Sequence, residues 1–543
     1  MKRPSLYLLL LSTVSAVLLS LPWLVPHAGA LSLVAFLPLL WADYAADELK
    51  IKHFWLYHFY CFVLWNALTT FWVCNATLGG GVFAILANAF QMSMVWALFR
   101  LGKRYMGGAV PYIFLAVMWL AWERHYFDVD ISWPWLTLGN AFAGSTRSVQ
   151  WYEFTGTLGG SLWIWACNLA FFAMLRAFAS GSWNVWNRIA RTSAVFGITL
   201  LIFGPLVLSK ALYASYEEKA ESTLEVVIAQ PNLDPYEKFE SLDQKQQNAR
   251  LLGIFDSELK RLGDSSKTRL LLAPETFTSD IFLNDAEASA SVKEFRSFLG
   301  NYPGSQLLFG ASTIETYTSA APPDILARPY GRGWYMSHNT AFLLACDQPL
   351  QKYHKSRLVV GVESTPYPRI FVPLDNYLSK LFHVSGLMGR CKAQDSAGVL
   401  RFDEDRALGC AICYESVYGE YCTEYVKAGA GALTVITNDA WWGDTPGYRQ
   451  HLNYSRLRAI ETRRDIARCG NTGISCFIDQ RGEIKASTQW WTQESLSGSI
   501  AFNSEQTFFV RCGDIVGRVS TLMFFLLAAL LLMRLVMRKK SRF

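Results

Sequence analysis

Ala411-Ile412-Cys413-Tyr414-Glu415 is the stretch on which the reading of this chain turns. An apolar run, Val399-Leu400 and then Ala407-Leu408-Gly409-Cys410-Ala411-Ile412, ends there in a cysteine, an aromatic and a carboxylate. The pattern predicts a buried strand that delivers a thiol to its C-terminal tip, where α/β sheets keep their chemistry. One cysteine decides nothing, because an unpaired buried Cys usually serves as a small hydrophobe. Two other stretches change its weight. Arg269-Leu270-Leu271-Leu272-Ala273-Pro274-Glu275-Thr276 predicts another apolar strand, ending in a carboxylate just after a proline. Tyr353-His354-Lys355-Ser356-Arg357-Leu358 sets a lysine beyond the strand-like run Thr340-Ala341-Phe342-Leu343-Leu344.

The surroundings of these stretches are unevenly polar. The 543 residues are 52% hydrophobic, 15% aromatic and 17% charged, more apolar than an average soluble protein. Residues 5–214 and 518–536 are mostly apolar, whereas 215–517 hold most of the carboxylates. Apolar segments near 5–22, 29–43, 53–74, 80–100, 109–127, 155–178, 193–213 and 518–536 predict eight membrane spans, the second of them short. Residues 5–22, followed by His27-Ala28-Gly29-Ala30, also fit a cleaved signal peptide; a retained first helix is preferred because further spans follow at once. Lys2, Arg3, Lys50, Lys52, Arg100, Lys103, Arg104, Arg188, Arg191 and the tail residues Arg538, Lys539, Lys540 and Arg542 all fall on one side, which the positive-inside rule makes cytoplasmic. The polar domain then lies outside. The expected organisation is an N-terminal transmembrane domain of seven helices over 1–214, a catalytic domain over 215–517, and a last helix with a basic tail over 518–543.

A net charge of +6 does not point to nucleic acid here, since membrane topology accounts for many of the basic residues. There is no glycine-rich phosphate loop, no zinc spacing and no basic aromatic strip. Cys410 and Cys413 form a C-x-x-C, but strand residues at that spacing point to opposite faces and no second pair completes a metal site. No cofactor, metal or nucleic-acid partner is expected. Within the polar domain, strands at Val226–Asn232, up to Glu275 and at Gln306–Ala311 alternate with helices over 236–262 and about 286–299, and 315–335 reads as an exposed loop. That alternation implies a mixed or parallel sheet with helices on its faces. Residues 370–390 are unusually apolar for a connection, fitting either a core helix or an arm that dips into the membrane.

Glu275, Lys355 and Cys413, each at or just beyond a strand end and in that order, resemble the nitrilase superfamily. Thr437-Asn438-Asp439-Ala440-Trp441-Trp442-Gly443-Asp444 resembles its next loop, Gln450-His451 through Glu461 its next helix, and Arg468-Cys469-Gly470-Asn471-Thr472 its next strand. With apolar spans on both flanks, the chain resembles the membrane-embedded branch, the apolipoprotein N-acyltransferases. Val359-Val360-Gly361-Val362, ahead of Glu363, departs from the proline and phenylalanine-glycine usual at that place. The resemblance implies an α-β-β-α sandwich inserted between the seventh and eighth of eight transmembrane helices. It also implies that the aromatic loop holding Trp133-Pro134-Trp135 and Gln150-Trp151-Tyr152 helps form a lipid-facing mouth, although an interfacial aromatic belt explains those residues as well. Gly156, Gly159, Gly160 and Ser161 read as close helix packing.

The chemistry follows from the three residue types. A free cysteine titrates at about 8.5 and becomes a useful nucleophile once a nearby carboxylate takes its proton. That base is assigned to Glu275. A tetrahedral intermediate at Cys413 carries an oxyanion, best stabilised by a fixed cation and a backbone N–H, here Lys355 and the N–H of Tyr414. Taken alone, Glu275 and Lys355 would read as a surface ion pair. Glu363 and Glu415 are supporting carboxylates, placed either to hold the lysine or to take a proton from an incoming amine. Tyr414, Trp441 and Trp442 are candidate pocket walls, with core filling as the competing reading. Eight cysteines fall within 215–517, where disulfides can form. Cys413 must stay free, and Cys410 should face away from it.

The resemblance implies acyl transfer from a membrane phospholipid to the N-terminal α-amine of an S-diacylglyceryl-cysteine lipoprotein, through a Cys thioester with ping-pong kinetics. The implied setting is a bacterial inner membrane with the catalytic domain in the periplasm, and a monomer. A membrane-anchored nitrilase-type amidohydrolase would share the triad, but a water-soluble substrate does not call for eight spans. A binding module would be expected to lack one of the three residues. A transporter would need a relay of charges, whereas Glu123 and Arg176 are the clearest charges within the spans.

Overall fold

Long apolar runs with few charges leave the backbone no partner but itself, and in this chain they fold as helices. A computed structural model describes residues 4–235, 242–263, 266–382 and 386–540. The chain divides into two compact units, one of Met1–Val129, Trp133–Tyr216 and Cys512–Phe543, the other of Asp130–Ser132 and Glu217–Arg511. The first begins with α1 (Pro4–Leu24), α2 (Leu37–Glu48), α3 (Trp55–Thr70), α4 (Leu78–Tyr105), α5 (Val110–Tyr126), α6 (Tyr152–Ala179) and α7 (Arg188–Ser215).

Among the described residues, six helical segments are long and apolar enough to cross a membrane; α3, with 16 residues, and α5, with 17, are shorter. The span expected at 29–43 is not one continuous α-helix. Ala28–Leu33 winds as a 3-10 turn, and α2 starts only after Phe36, with a proline in its first turn. A break in an apolar setting exposes polar backbone, and Asn168 satisfies it from both sides. Its Oδ1 accepts from Phe36 N at 2.8 Å and its Nδ2 donates to Ser32 O at 2.8 Å. The small residues of α6 do pack closely: a Cβ on Gly160 would lie 1.8 Å from the Tyr152 hydroxyl, which donates to Gly139 O at 2.8 Å.

The second unit holds two sheets. The first runs β14-β1-β2-β4-β6-β5, with β3 (Thr278–Phe282) added on β4 and β7 (Gln351–His354) on β6. Its members are β1 (Ser222–Gln230), β2 (Arg269–Leu272), β4 (Ser305–Tyr317), β5 (Arg328–Tyr330), β6 (Gly333–Leu344) and β14 (Glu494–Phe502). The second runs β13-β12-β11-β10-β9-β8, namely β8 (Val399–Arg401), β9 (Ala407–Ile412), β10 (Ala432–Thr437), β11 (Ile466–Gly470), β12 (Cys476–Ile478) and β13 (Ile484–Ser487). At the centre of each sheet three strands run parallel, β1-β2-β4 and β9-β10-β11, and the remaining strands flank them mostly antiparallel.

Apolar stripes on α8 (Gln244–Leu262) and α9 (Ala290–Leu299) bury Leu251, Phe255, Leu259, Val292, Phe295 and Leu299 against Val227, Leu271 and Phe309 of the first sheet. On the second sheet, α11 (Gly419–Lys427) lies so close to β9 that a Cβ on Gly409 would sit 2.7 Å from Tyr425 Cβ. α12 (Pro446–Thr462) is the other long helix beside that sheet. The sheets meet along β1 and β11, where the Cys469 thiol lies 3.3 Å from Ala229 O. The layers therefore follow the expected α-β-β-α order.

The expected helix over 236–262 is seen from Gln244; residues 236–241 lie outside the described part. Residues 315–335, read as a loop, hold the end of β4 and all of β5, because the long antiparallel pair β4–β6 continues through Tyr317↔Trp334. Within the apolar 370–390 stretch, α10 (Pro368–Phe382) is an amphipathic helix, and 383–385 lie outside the described part. The chain returns to the first unit with its last long helix, α13 (Ile515–Lys540).

One close approach ties the first sheet to the candidate base. A Cβ on Gly310 of β4 would lie 2.6 Å from Glu275 Cα and 2.7 Å from Thr276 N, both backbone atoms. Gly310→Ala therefore forces β4 away from the Glu275 turn. It should lower thermal stability by about 1–3 kcal/mol, as overpacking does, and reduce catalytic turnover as well if Glu275 acts as the base. A variant that melts and turns over like the wild type would show that this contact does not position Glu275.

Candidate active site

Cys413 follows β9 directly and opens a 3-10 turn, Cys413–Val417, with φ at 52°. A non-glycine residue in the left-handed region carries a conformational cost of about 1–3 kcal/mol and persists only where its neighbours impose it. Here the constraint is visible. The Cys413 carbonyl accepts from Ser416 Oγ at 2.8 Å and from His451 Nε2 at 3.0 Å. His451 is held in turn by Asp439, whose Oδ1 lies 2.9 Å from Nδ1 and whose Oδ2 accepts from Arg468 at 2.8 Å. Burial acts to raise the Asp439 carboxyl, but His451 and Arg468 override it and hold it at about 2.

Glu275 stands three residues past β2, beyond the Ala273-Pro274 step, and Lys355 directly after β7. The ammonium of Lys355 lies 2.9 Å from Glu275 Oε1 and 2.9 Å from Glu363, and Lys355 is 1% exposed. Asn339 of β6 spans the same carboxylates, its Nδ2 donating to Glu275 at 2.8 Å and to Glu363 at 2.7 Å. Glu275 Oε2 accepts from Asn438 N at 3.1 Å. The turn before Glu363, where the sequence departs from the resembling pattern, closes with Gly361 at φ 80° and returns Val359 N to Glu363 Oε2 at 2.8 Å. Val359-Val360-Gly361-Val362 thus delivers Glu363 to the lysine.

Burial alone would lower Lys355, but Glu275 and Glu363 reverse that and raise it well above its ordinary value, so it is a cation. Burial pushes the Cys413 thiol well above its ordinary value, Glu275 adds to the effect, and Lys355 offsets part of it. The resting sulfur is therefore a neutral thiol that needs a base during the reaction.

Glu415 is brought to a different task from the one expected. It lies fully buried, and its carboxylate accepts from Ile412 N at 2.8 Å, Ser356 N at 2.7 Å, Tyr353 Oη at 2.7 Å and Tyr425 Oη at 3.0 Å. It thus bonds the start of the Cys413 turn to the loop after Lys355, and the Lys355 charge also acts on it. Tyr414 is buried, with its hydroxyl donating to Ser132 O at 3.1 Å and its ring 5.2 Å from that of Tyr418. Trp442 packs edge-on against His451 at 5.5 Å, while Trp441 is 40% exposed.

The sequence reading passed over Asn339 and His451. Asn339 lies one residue before the quoted run Thr340–Leu344, and its polar neighbours Ser337 and His338 hide the strand. In the sequence His451 reads as one residue of a helix, and only the fold brings it to the Cys413 carbonyl. Cys413, Asp439 and His451 bring ligand-type atoms within 4.8 Å of one another. Asp439 is already engaged by Arg468 and His451, so a cation there would have to displace a guanidinium.

Two outcomes follow. Glu415→Gln replaces one accepting oxygen with an amide N–H where backbone N–H groups and phenols donate, and should cost about 1–3 kcal/mol, read as a lower melting temperature. An unchanged melting curve would remove Glu415 from its structural role. Second, alkylation of Cys413 by iodoacetamide should keep accelerating as pH rises past 9, because the thiol sits above its ordinary value. A plateau reached near neutral pH would mean a preformed thiolate.

The profile of the family Carbon-nitrogen hydrolase matches residues 258–508, and that of the Apolipoprotein N-acyltransferase N-terminal domain matches residues 15–170. A protein of Chlorobaculum tepidum named apolipoprotein N-acyltransferase is 27% identical over 92% of this chain and 91% of its own. One of the same name from Geobacter metallireducens is 24% identical over 93% of this chain and 92% of its own. The solved structure of Saccharomyces cerevisiae Nit3, a member of branch 10 of the nitrilase superfamily, aligns with 53% of this chain and 93% of its own at 17% identity and a TM-score of 0.38. Matched by both profiles in this order, and along nearly its whole length by relatives of one name, the chain belongs to the apolipoprotein N-acyltransferase family.

Proposed function

We propose that this protein moves an acyl chain from a membrane phospholipid to the N-terminal α-amine of an S-diacylglyceryl-cysteine lipoprotein, by way of a thioester on Cys413. The observation that carries the proposal is the buried grouping of Glu275, Lys355 and Cys413 in a unit whose chain is flanked by long apolar helices.

In the first half-reaction Glu275 takes the Cys413 proton as sulfur attacks the ester carbonyl carbon. The oxyanion forms between the Lys355 ammonium and the N–H of Tyr414. Collapse breaks the ester C–O bond, and the leaving lysophospholipid alkoxide recovers the proton from Glu275. In the second half-reaction the lipoprotein amine attacks the thioester and passes a proton to Glu275. Collapse then expels the Cys413 sulfur, which takes that proton back. Two carboxylates and one ammonium leave a surplus negative charge beside the thiol, and this surplus favours proton uptake when sulfur attacks. Glu363 keeps Lys355 charged and in place while Glu275 carries the proton.

The setting suits lipid substrates. On α10, Ile370, Leu374, Tyr377 and Leu381 recur at helical spacing and are 66%, 42%, 65% and 57% exposed, an apolar stripe suited to lying in a membrane surface over the acyl site. We place the catalytic unit on the periplasmic face of a bacterial inner membrane as an insertion between the seventh and eighth spans. The shorter α3 and α5 complete that count, and the basic helix ends lie in the cytoplasm.

The test is the intact mass of the detergent-purified protein after incubation with phosphatidylethanolamine alone. An added acyl mass that neutral hydroxylamine removes, that Cys413→Ala lacks, and that a diacylglyceryl lipopeptide discharges is the expected result. No adduct from any phospholipid, with turnover of a soluble amide instead, would overturn the proposal in favour of a membrane-anchored amidohydrolase.

A further inference from the structure

The Cys413 carbonyl is held by two side chains, and it belongs to the same peptide as the Tyr414 N–H. Ser416 Oγ donates to that carbonyl at 2.8 Å, His451 Nε2 lies 3.0 Å from it, and Oγ and Nε2 are 3.0 Å apart. A carbonyl oxygen can only accept, so Nε2 carries a proton and donates. We infer that His451, backed by Asp439 and Arg468, is a positioning residue for acyl transfer, aiming the Tyr414 N–H at the oxyanion. The inference rests on the mechanism proposed above, in which Cys413 attacks and the Tyr414 N–H receives the developing charge.

The physical link is the planarity of the peptide. The Cys413–Tyr414 bond is trans, so its C=O and N–H point in opposite directions. Whatever fixes the carbonyl therefore fixes the N–H. Cys413 lies at φ 52°, a conformation that holds only while its neighbours impose it. The same two donors polarise the peptide, which makes its N–H a better donor. An oxyanion is stabilised by donors aimed before the charge appears, so this aim bears on rate.

His451 is itself held at its far side. Its Nδ1 lies 2.9 Å from Asp439 Oδ1, which also accepts from Thr437 Oγ1 at 2.7 Å, and Asp439 Oδ2 accepts from Arg468 at 2.8 Å. Arg468 also donates to Ser455, on the same helix as His451, at 3.2 Å. His451, Asp439, Arg468 and Ser416 are all fully buried. They come from α12, the turn after β10, β11 and the Cys413 turn, so the order of the second sheet sets the aim. Buried charged clusters add little stability over well-packed apolar residues. What this one provides is the direction of a single peptide.

The test compares two reactions at one sulfur in the detergent-purified full chain. p-Nitrophenyl butyrate acylates Cys413 through an oxyanion, forming a thioester and releasing p-nitrophenolate. Iodoacetamide alkylates it by displacing iodide, with no oxyanion. Both need the proton to leave sulfur, so the ratio of the two rates at one pH cancels changes in ionisation. Ser416→Ala, which alters no charge, should lower the acylation-to-alkylation ratio about tenfold, the factor one hydrogen bond represents. His451→Leu should lower it about a hundredfold, as loss of an oxyanion donor does, and His451→Gln, which keeps an N–H on a side chain of similar reach, should recover part of that. If His451→Leu fails to fold, Ser416→Ala and His451→Gln decide the case. A ratio that keeps its wild-type value in these variants, whether both rates fall together or neither moves, would overturn the inference. The ester reports on the oxyanion whatever the natural donor is. A wild type acylated by the ester but not by phosphatidylethanolamine would strike the phospholipid proposal alone.

Discussion

A single buried ammonium shared by two carboxylates is the constraint from which the catalytic unit is built. Lys355 has almost no contact with water, and an isolated cation there would lose its proton or unfold its surroundings. Glu275 and Glu363, each at 2.9 Å, make the charge tolerable, and Asn339 holds the two acids at a fixed separation by donating to both. Each member arrives on a different segment: Glu275 after β2, Asn339 on β6, Lys355 after β7 and Glu363 after a turn closed by Gly361. The first sheet must therefore be correctly assembled before the cluster can exist. The electrostatics of the site and the pairing order of the sheet are one requirement.

The second sheet supplies the candidate nucleophile, Cys413, under a different constraint. Cys413 is turned into the left-handed region, and its carbonyl is fixed by Ser416 and His451. Behind it, Glu415 bonds both to the residue before Cys413 and to the residue after Lys355. The thiol and the ammonium come from different sheets, so sheet packing alone would leave their separation loosely set. A buried carboxylate bonded to both loops sets it directly. A carboxylate does this better than an amide because all the neighbouring groups are donors, two backbone N–H groups and two phenols among them.

The parts legible in the sequence were those that local pattern encodes. Apolar runs ending in Glu275 and Cys413 read as strands because each strand sits in a parallel core buried on both faces. The order Glu, Lys, Cys carried the site because strand tips are where such sheets hold chemistry. Less legible were features set by distant partners. The short β7 that precedes Lys355 is four residues with a charged member, and it becomes a strand only by pairing with β6. Glu415 reads from its place beside Cys413 as a partner for the lysine, and the structure adds that donors on three segments claim its oxygens. The 29–43 segment read as a span, and Ala28–Glu48 is long and apolar enough to be one, but composition does not reveal the break inside it whose backbone Asn168, more than a hundred positions away, satisfies.

The same reasoning explains why the thiol is kept neutral rather than stored as a thiolate. Lys355 acts on Cys413 to favour its charge, but two carboxylates already claim it; Glu275 and Asp439 both act to keep the proton on sulfur. On the periplasmic side proposed above, a standing thiolate would also be exposed to oxidation and to exchange with other thiols, and seven more cysteines lie within the 215–517 region. A sulfur that ionises only as it attacks a carbonyl carbon avoids both hazards. In the proposed mechanism the arrangement trades intrinsic nucleophilicity for selectivity, and Glu275 as base restores the rate when an acyl group is in place.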